Sequence, residues 1–159
     1  SIHENVVSNW NWIEALIASV PIAILVMLIV WINQFQDAPS DAAVGKNTWV
    51  VRTAEQGEWM KLEKPLRLYK QFMIEAFVAV ALVGALSFFT DFGTVYAFMA
   101  LIPLALVWKA FKMADEWMIK WNNPNADRQK VPYELLLVNV STIGIHFLTG
   151  ILLAVAYIL

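Results

Sequence analysis

Asn33, Asp37 and Asp41 recur at four-residue spacing, and Gly45-Lys46-Asn47-Thr48 and Val50-Val51-Arg52 follow closely. Residues four apart share nearly one face of a helix, so the three polar side chains read as a single stripe. Two carboxylates on one stripe are a donor set for a hard cation such as Mg²⁺, which takes oxygen ligands and keeps waters and substrate phosphates. Such a cation neutralises the charge that develops on a departing diphosphate. Lys46 offers a point charge, and Arg52 a planar fork, to the same phosphate oxygens. The plainer reading makes Asp37 and Asp41 solvated loop residues, with Asp41 capping a short helix. Pro39 stands between the two aspartates and is expected to interrupt the helix, placing Asp41 in a turn.

The elements that must position this stripe follow from composition. The chain has 159 residues, 60% of them hydrophobic and 15% charged, which lies outside the soluble range and points to a membrane protein. Crossing a bilayer takes roughly 20 apolar residues in a helix. Four runs qualify, at about 12–32, 71–90, 92–111 and 135–159. The expected fold is therefore all-α and polytopic: one membrane domain, 1–159, with four transmembrane helices and long loops at 33–70 and 112–134. Pro21 and Pro103 fall inside the first and third runs and predict kinks there. A net charge of −2 gives no basic excess for nucleic acid, and the absence of cysteine excludes disulfides and thiolate chemistry. Residues 1–11 carry no Lys or Arg and lead to no small-residue cleavage site, so no secretory signal is expected.

Of the eleven basic residues, Lys46, Arg52, Lys61, Lys64, Arg67 and Lys70 lie between the first and second runs. Lys109 sits at the end of the third run, and Lys112, Lys120, Arg128 and Lys130 lie between the third and fourth. The positive-inside rule makes both long loops cytoplasmic and both termini external, in a cell inner membrane. Trp10 and Trp12 on one side, with Trp31, Trp108 and Trp117 on the other, read as two interfacial belts. Asn33–Asp41 then lies at the cytoplasmic surface, where carboxylates do nothing for insertion and are candidates for function.

Local signals fill in the loops. Residues 47–53 are β-branched and read as an extended piece or a helix start. Residues 58–70 alternate charge with Trp59, Met60, Leu62, Leu66, Leu68 and Tyr69, which suits a helix lying on the membrane surface. Asn122-Asn123-Pro124-Asn125 is a turn cluster, and Pro132 marks a start for the last helix. Glu75 and Asn139 sit about one turn inside their helices and read as a pair or as the lining of a headgroup cavity. Glu14 is expected to reach interfacial water. His146 reads as a neutral histidine held between helices, or as a functional group. Phe77, Phe88, Phe89, Phe98 and Met99 read as packing or lipid contacts, or as the lining of a prenyl tunnel.

The string from Asn33 to Arg52 resembles the second aspartate-rich motif of the UbiA superfamily of intramembrane prenyltransferases, most closely the branch that prenylates 1,4-dihydroxy-2-naphthoate in menaquinone synthesis. The resemblance implies a polyprenyl diphosphate:aromatic acceptor prenyltransferase of quinone biosynthesis. It implies Mg²⁺ bound by Asp37 and Asp41, with Asn33, Lys46 and Arg52 on the diphosphate. Gln36 departs from it, since the branch usually has Arg there, and Thr53-Ala54 stands where Gly is common. Family enzymes are longer and carry another acidic motif in their first half. Asp91, Asp115-Glu116 and Asp127 do not have that form. The chain thus resembles a C-terminal half of a UbiA-type bundle, and prenyl transfer requires a protein partner that supplies the rest. The alternative is a non-catalytic UbiA-like membrane subunit that packs in a larger complex and binds lipid, quinone or pigment. A transporter-like bundle fits less well, because the runs hold few charges for an ion path.

Overall fold

The computed structural model describes residues 11–57 and 60–159. Trp10, the 1–11 signal region apart from its last residue, Glu58 and Trp59 lie outside the described residues. Five α-helices follow in order: α1 (Asn11–Ala43), α2 (Trp49–Thr53), α3 (Glu63–Leu86), α4 (Leu104–Trp121) and α5 (Leu136–Ala156). Two 3₁₀ segments, Val95–Leu101 and Val131–Leu135, lead into α4 and α5. Among the described residues, four helical stretches are long and apolar enough to cross a membrane. The protein is an all-α integral membrane protein.

The four long helices form a ring in which α1 packs on α3 and α5, and α4 packs on the same two from the other side. The inner face of α1 presents Leu25, Leu28, Ile32 and Phe35, all fully buried. Lipid is as apolar as leucine, so close packing and interhelical hydrogen bonds, rather than transfer from water, hold such helices together. One of these bonds joins Tyr69 of α3 to Thr142 of α5 at 2.6 Å. Thr142 itself donates to the Val138 carbonyl at 2.8 Å, which leaves the Tyr69 hydroxyl as the donor between helices.

The two ends of the ring differ. At one, the Gly93 N–H donates to Glu14 Oε1 at 3.1 Å, tying the 87–94 turn to the start of α1. Glu14, half-buried, thus caps this turn through one of its oxygens. Tyr157, just past α5, lies near the same carboxylate: partial burial first, and the Glu14 charge second, push its phenol up. At the other end, Trp117 and Trp121 of α4 stack with ring centres 5.7 Å apart. The Trp121 indole donates to the Met60 carbonyl at 2.9 Å, and the Trp117 indole to the Val131 carbonyl at 2.7 Å. Two residues on one helix face thus clamp both long loops to the same end of the bundle.

Several local expectations are corrected. The belt assignment fails for Trp31 and Trp117, which are 6% and 3% exposed and pack in the core; Trp12 and Trp108 are exposed. Residues 63–70 are the first turns of α3, continuous with the span, because no breaker separates the charged face from the apolar run. The third span is a 3₁₀ segment followed by α4, with Pro103 as the N-cap. Proline has no N–H and crowds the carbonyl four residues back, so the α-helix restarts there. Asn139 does not pair with Glu75, whose Oε1 accepts from Gln71 Nε2 at 2.8 Å within α3.

Candidate functional site

Helix α1 runs through Pro39 without interruption and ends at Ala43. Its 33 residues make a rod of about 50 Å at 1.5 Å per residue, against an apolar bilayer core of about 30 Å. The last three turns, with Asn33, Asp37 and Asp41, therefore project beyond the apolar run. Pro39 occurs in the interior, against expectation. Its missing N–H leaves only the Phe35 carbonyl without its usual donor, and the following Ser40 Oγ returns to the Asp37 carbonyl at 2.8 Å.

Gly45 stops the helix. Its φ of 74° is left-handed, its N–H donates to the Ala42 carbonyl at 3.1 Å, and the Lys46 N–H donates to the Asp41 carbonyl at 2.8 Å. This is a Schellman cap, the usual close of a helix on a glycine. The reversal brings Lys46 Nζ to 3.0 Å from Asp41 Oδ1. Asp41 is 8% exposed, whereas the lysine stays in water, so the pair ties a nearly buried carboxylate to a solvated ammonium. Part of the Gly-Lys signal in the sequence is thus accounted for by the cap.

The other stripe residues face outward. Asn33 and Asp37 are exposed, and Asp37 is in no ion pair among the described residues. Asn139 of α5, 4% exposed, donates from Nδ2 to Asn33 Oδ1 at 2.8 Å. One lone pair of the Asn33 oxygen is thereby engaged, and its NH₂ group makes no hydrogen bond among the described residues. The Asn139 oxygen is buried without a donor. Gln34, also on α1, accepts from the Val50 N–H at 3.3 Å and so ties α2 to α1. Thr48 caps that helix by accepting from the Val51 N–H at 3.4 Å.

Arg52 goes elsewhere. It lines a cavity between α1 and α3 with Met27 and Trp31. At about 100° per residue, Trp31 lies about 120° round α1 from Asp37 and about 160° from Asn33. The structure therefore joins Asp41 with Lys46 and Asn33 with Asn139, and sets Arg52 on another side of α1. Gln34 and Asn139 are the positioning residues that spacing did not assign. Gln34 was visible as an amide inside the motif, whereas the partner of Asn139 was not.

Among the described residues, no three His, Cys, Asp or Glu side chains converge as a metal site. A cation at the stripe would have only Asp37 and Asp41 as carboxylates, and Lys46 already serves one oxygen of Asp41. Mg²⁺ is commonly held by one or two carboxylates plus substrate phosphates. The donor set fits a metal that arrives with a diphosphate and not one caged by this chain alone. Comparison with protein-family models, curated proteins and solved structures finds no match for this chain.

Proposed function

We propose that this chain is the equivalent of the C-terminal half of a UbiA-type prenyltransferase, completed by a protein partner that supplies the facing half. The observation that carries the reading is the outer face of α1. Trp12, Leu16, Ser19, Ala23, Val26, Val30, Asn33 and Asp37 are all exposed and follow one another at alternating steps of four and three. An uncovered apolar stripe thus leads straight into the polar pair, which is the order of groups needed to receive an apolar tail ending in a diphosphate.

In this reading Asp37 and Asp41 hold Mg²⁺ together with the diphosphate oxygens, and the Asn33 NH₂ group donates to a non-bridging oxygen. Mg²⁺, when bound, supplies the positive charge that stabilises the leaving diphosphate. Lys46, paired with Asp41, adds a cation near the phosphates. Arg52, on another side of α1, takes no part. The acceptor is an aromatic ring of the dihydroxynaphthoate class, and the motif end faces the cytoplasm, by the positive-inside rule.

The test is calorimetric titration of the detergent-solubilised chain with a polyprenyl diphosphate, with and without Mg²⁺. Binding is expected to need Mg²⁺ and to weaken at least tenfold in Asp37→Asn. Binding that ignores both Mg²⁺ and the substitution overturns the proposal. Absence of binding favours the second reading, a non-catalytic UbiA-like subunit. The Gly45 cap and the Lys46–Asp41 pair support that reading, because they give the motif a purely structural use.

A further inference from the structure

A cavity of about 400 Å³ opens between α1, α2 and α3, lined by Met27, Trp31, Trp49, Arg52, Thr53 and Phe72. Its walls are aromatic: the Trp31 ring centre lies 5.7 Å from that of Trp49 and 5.8 Å from that of Phe72. Among the described residues, no carboxylate lines it. Arg52 is exposed and, among the described residues, forms no ion pair. The Thr53 hydroxyl is already engaged with the Trp49 carbonyl at 2.8 Å. Trp31 is 6% exposed, yet its indole N–H is buried without an acceptor.

The depth of these residues orders the cavity along the membrane normal. Met27 and Trp31 belong to the last turns of the apolar run, Phe72 faces them from α3, and Arg52 stands on α2 beyond the run. One end is therefore apolar and aromatic, and the other carries a single guanidinium that prefers the planar, forked geometry of a phosphate. A guanidinium with no acid beside it among the described residues repels a quaternary ammonium, so the rings do not serve as a choline cage. Basic pockets between transmembrane helices at the membrane surface are recognised binding places for anionic headgroups.

We propose that this cavity binds an anionic phospholipid, with the headgroup phosphate on Arg52 and the glycerol and first methylenes against Trp31, Phe72 and Met27. The site lies on another side of α1 from Asn33 and Asp37 and stands independently of the prenyl reading.

The test is native mass spectrometry of the detergent-solubilised chain in equimolar phosphatidylglycerol and phosphatidylcholine. One retained phosphatidylglycerol is expected, preferred at least tenfold over phosphatidylcholine. Arg52→Gln is expected to remove that preference and Arg52→Lys to restore part of it. Circular dichroism should show unchanged helix content, since the arginine is exposed. Equal retention of the two lipids, or retention unchanged in Arg52→Gln, overturns the site. Displacement of the lipid by millimolar inorganic diphosphate also overturns it, since the cavity would then be a soluble-anion site.

Discussion

Asn139 donates to Asn33 at 2.8 Å across a sequence separation of 106, and this bond sets the rotation of α5 against the motif helix.

Interhelical bonds of this kind contribute about 0.6–2 kcal/mol in membranes. A double-mutant cycle with Asn33→Ala and Asn139→Ala, followed by unfolding in mixed detergent micelles, should return a coupling of about 0.6–1.7 kcal/mol. A coupling near zero would show that the two amides are neighbours without an energetic link.

Two glycines with left-handed φ should respond differently to alanine. At Gly45, with φ of 74°, an added Cβ meets nothing within 4 Å. Only the left-handed cost of about 1–2 kcal/mol applies there. At Gly93, with φ of 80°, the Cβ would fall 2.2 Å from the Val83 carbonyl oxygen, and that neighbour is backbone. Gly93→Ala should therefore destabilise by more than Gly45→Ala and loosen the Glu14 contact. Equal losses in a thermal melt would contradict the close approach.

The Trp117 and Trp121 clamps should be separable. Trp121→Phe removes the donor to Met60 and leaves the ring stack, while Trp117→Phe removes the donor to Val131. Leaving a buried carbonyl unpaired costs about 1–3 kcal/mol. Limited proteolysis should quicken between residues 54 and 62 in the first variant and between 122 and 131 in the second. Both loops opening in both variants would mean that the indoles act only through stacking.

Both long loops meet at one end of the bundle, and the 87–94 turn lies at the other. Cysteines introduced at Asn125 and Thr94 should label from opposite sides with an impermeant thiol reagent, Asn125 from the cytoplasm. The native chain has no cysteine to confuse the result. Labelling of both from the same side would remove the four-span arrangement.

By itself the chain should form no product from Mg²⁺, a polyprenyl diphosphate and dihydroxynaphthoate, since it carries one acidic motif where the proposed chemistry needs two. Product that is lost in Asp37→Asn would instead mean that two copies of the chain face one another.

Four spans, the all-α class and the position of the acidic string at the end of a membrane helix were legible in the sequence, because apolar run length and composition are local properties. The Gly45 stop was not read from the sequence, where Pro39 was expected to end the helix first, although glycine enters the left-handed cap at low cost. The continuation of α1 through Pro39 was not legible either: the prolyl penalty is local, while the helix on both sides is held by Phe35, Ala38 and other residues buried against the bundle. Pairings between helices were decided by tertiary structure alone. In spans that are apolar nearly all round, packing, and not a hydrophobic face, sets rotation. Asn139 could therefore be seen near the end of its helix, but its meeting with Asn33 instead of Glu75 depends on how α5 turns. For the same reason, Arg52 follows the motif in sequence yet stands on another side of α1, where α2 carries it.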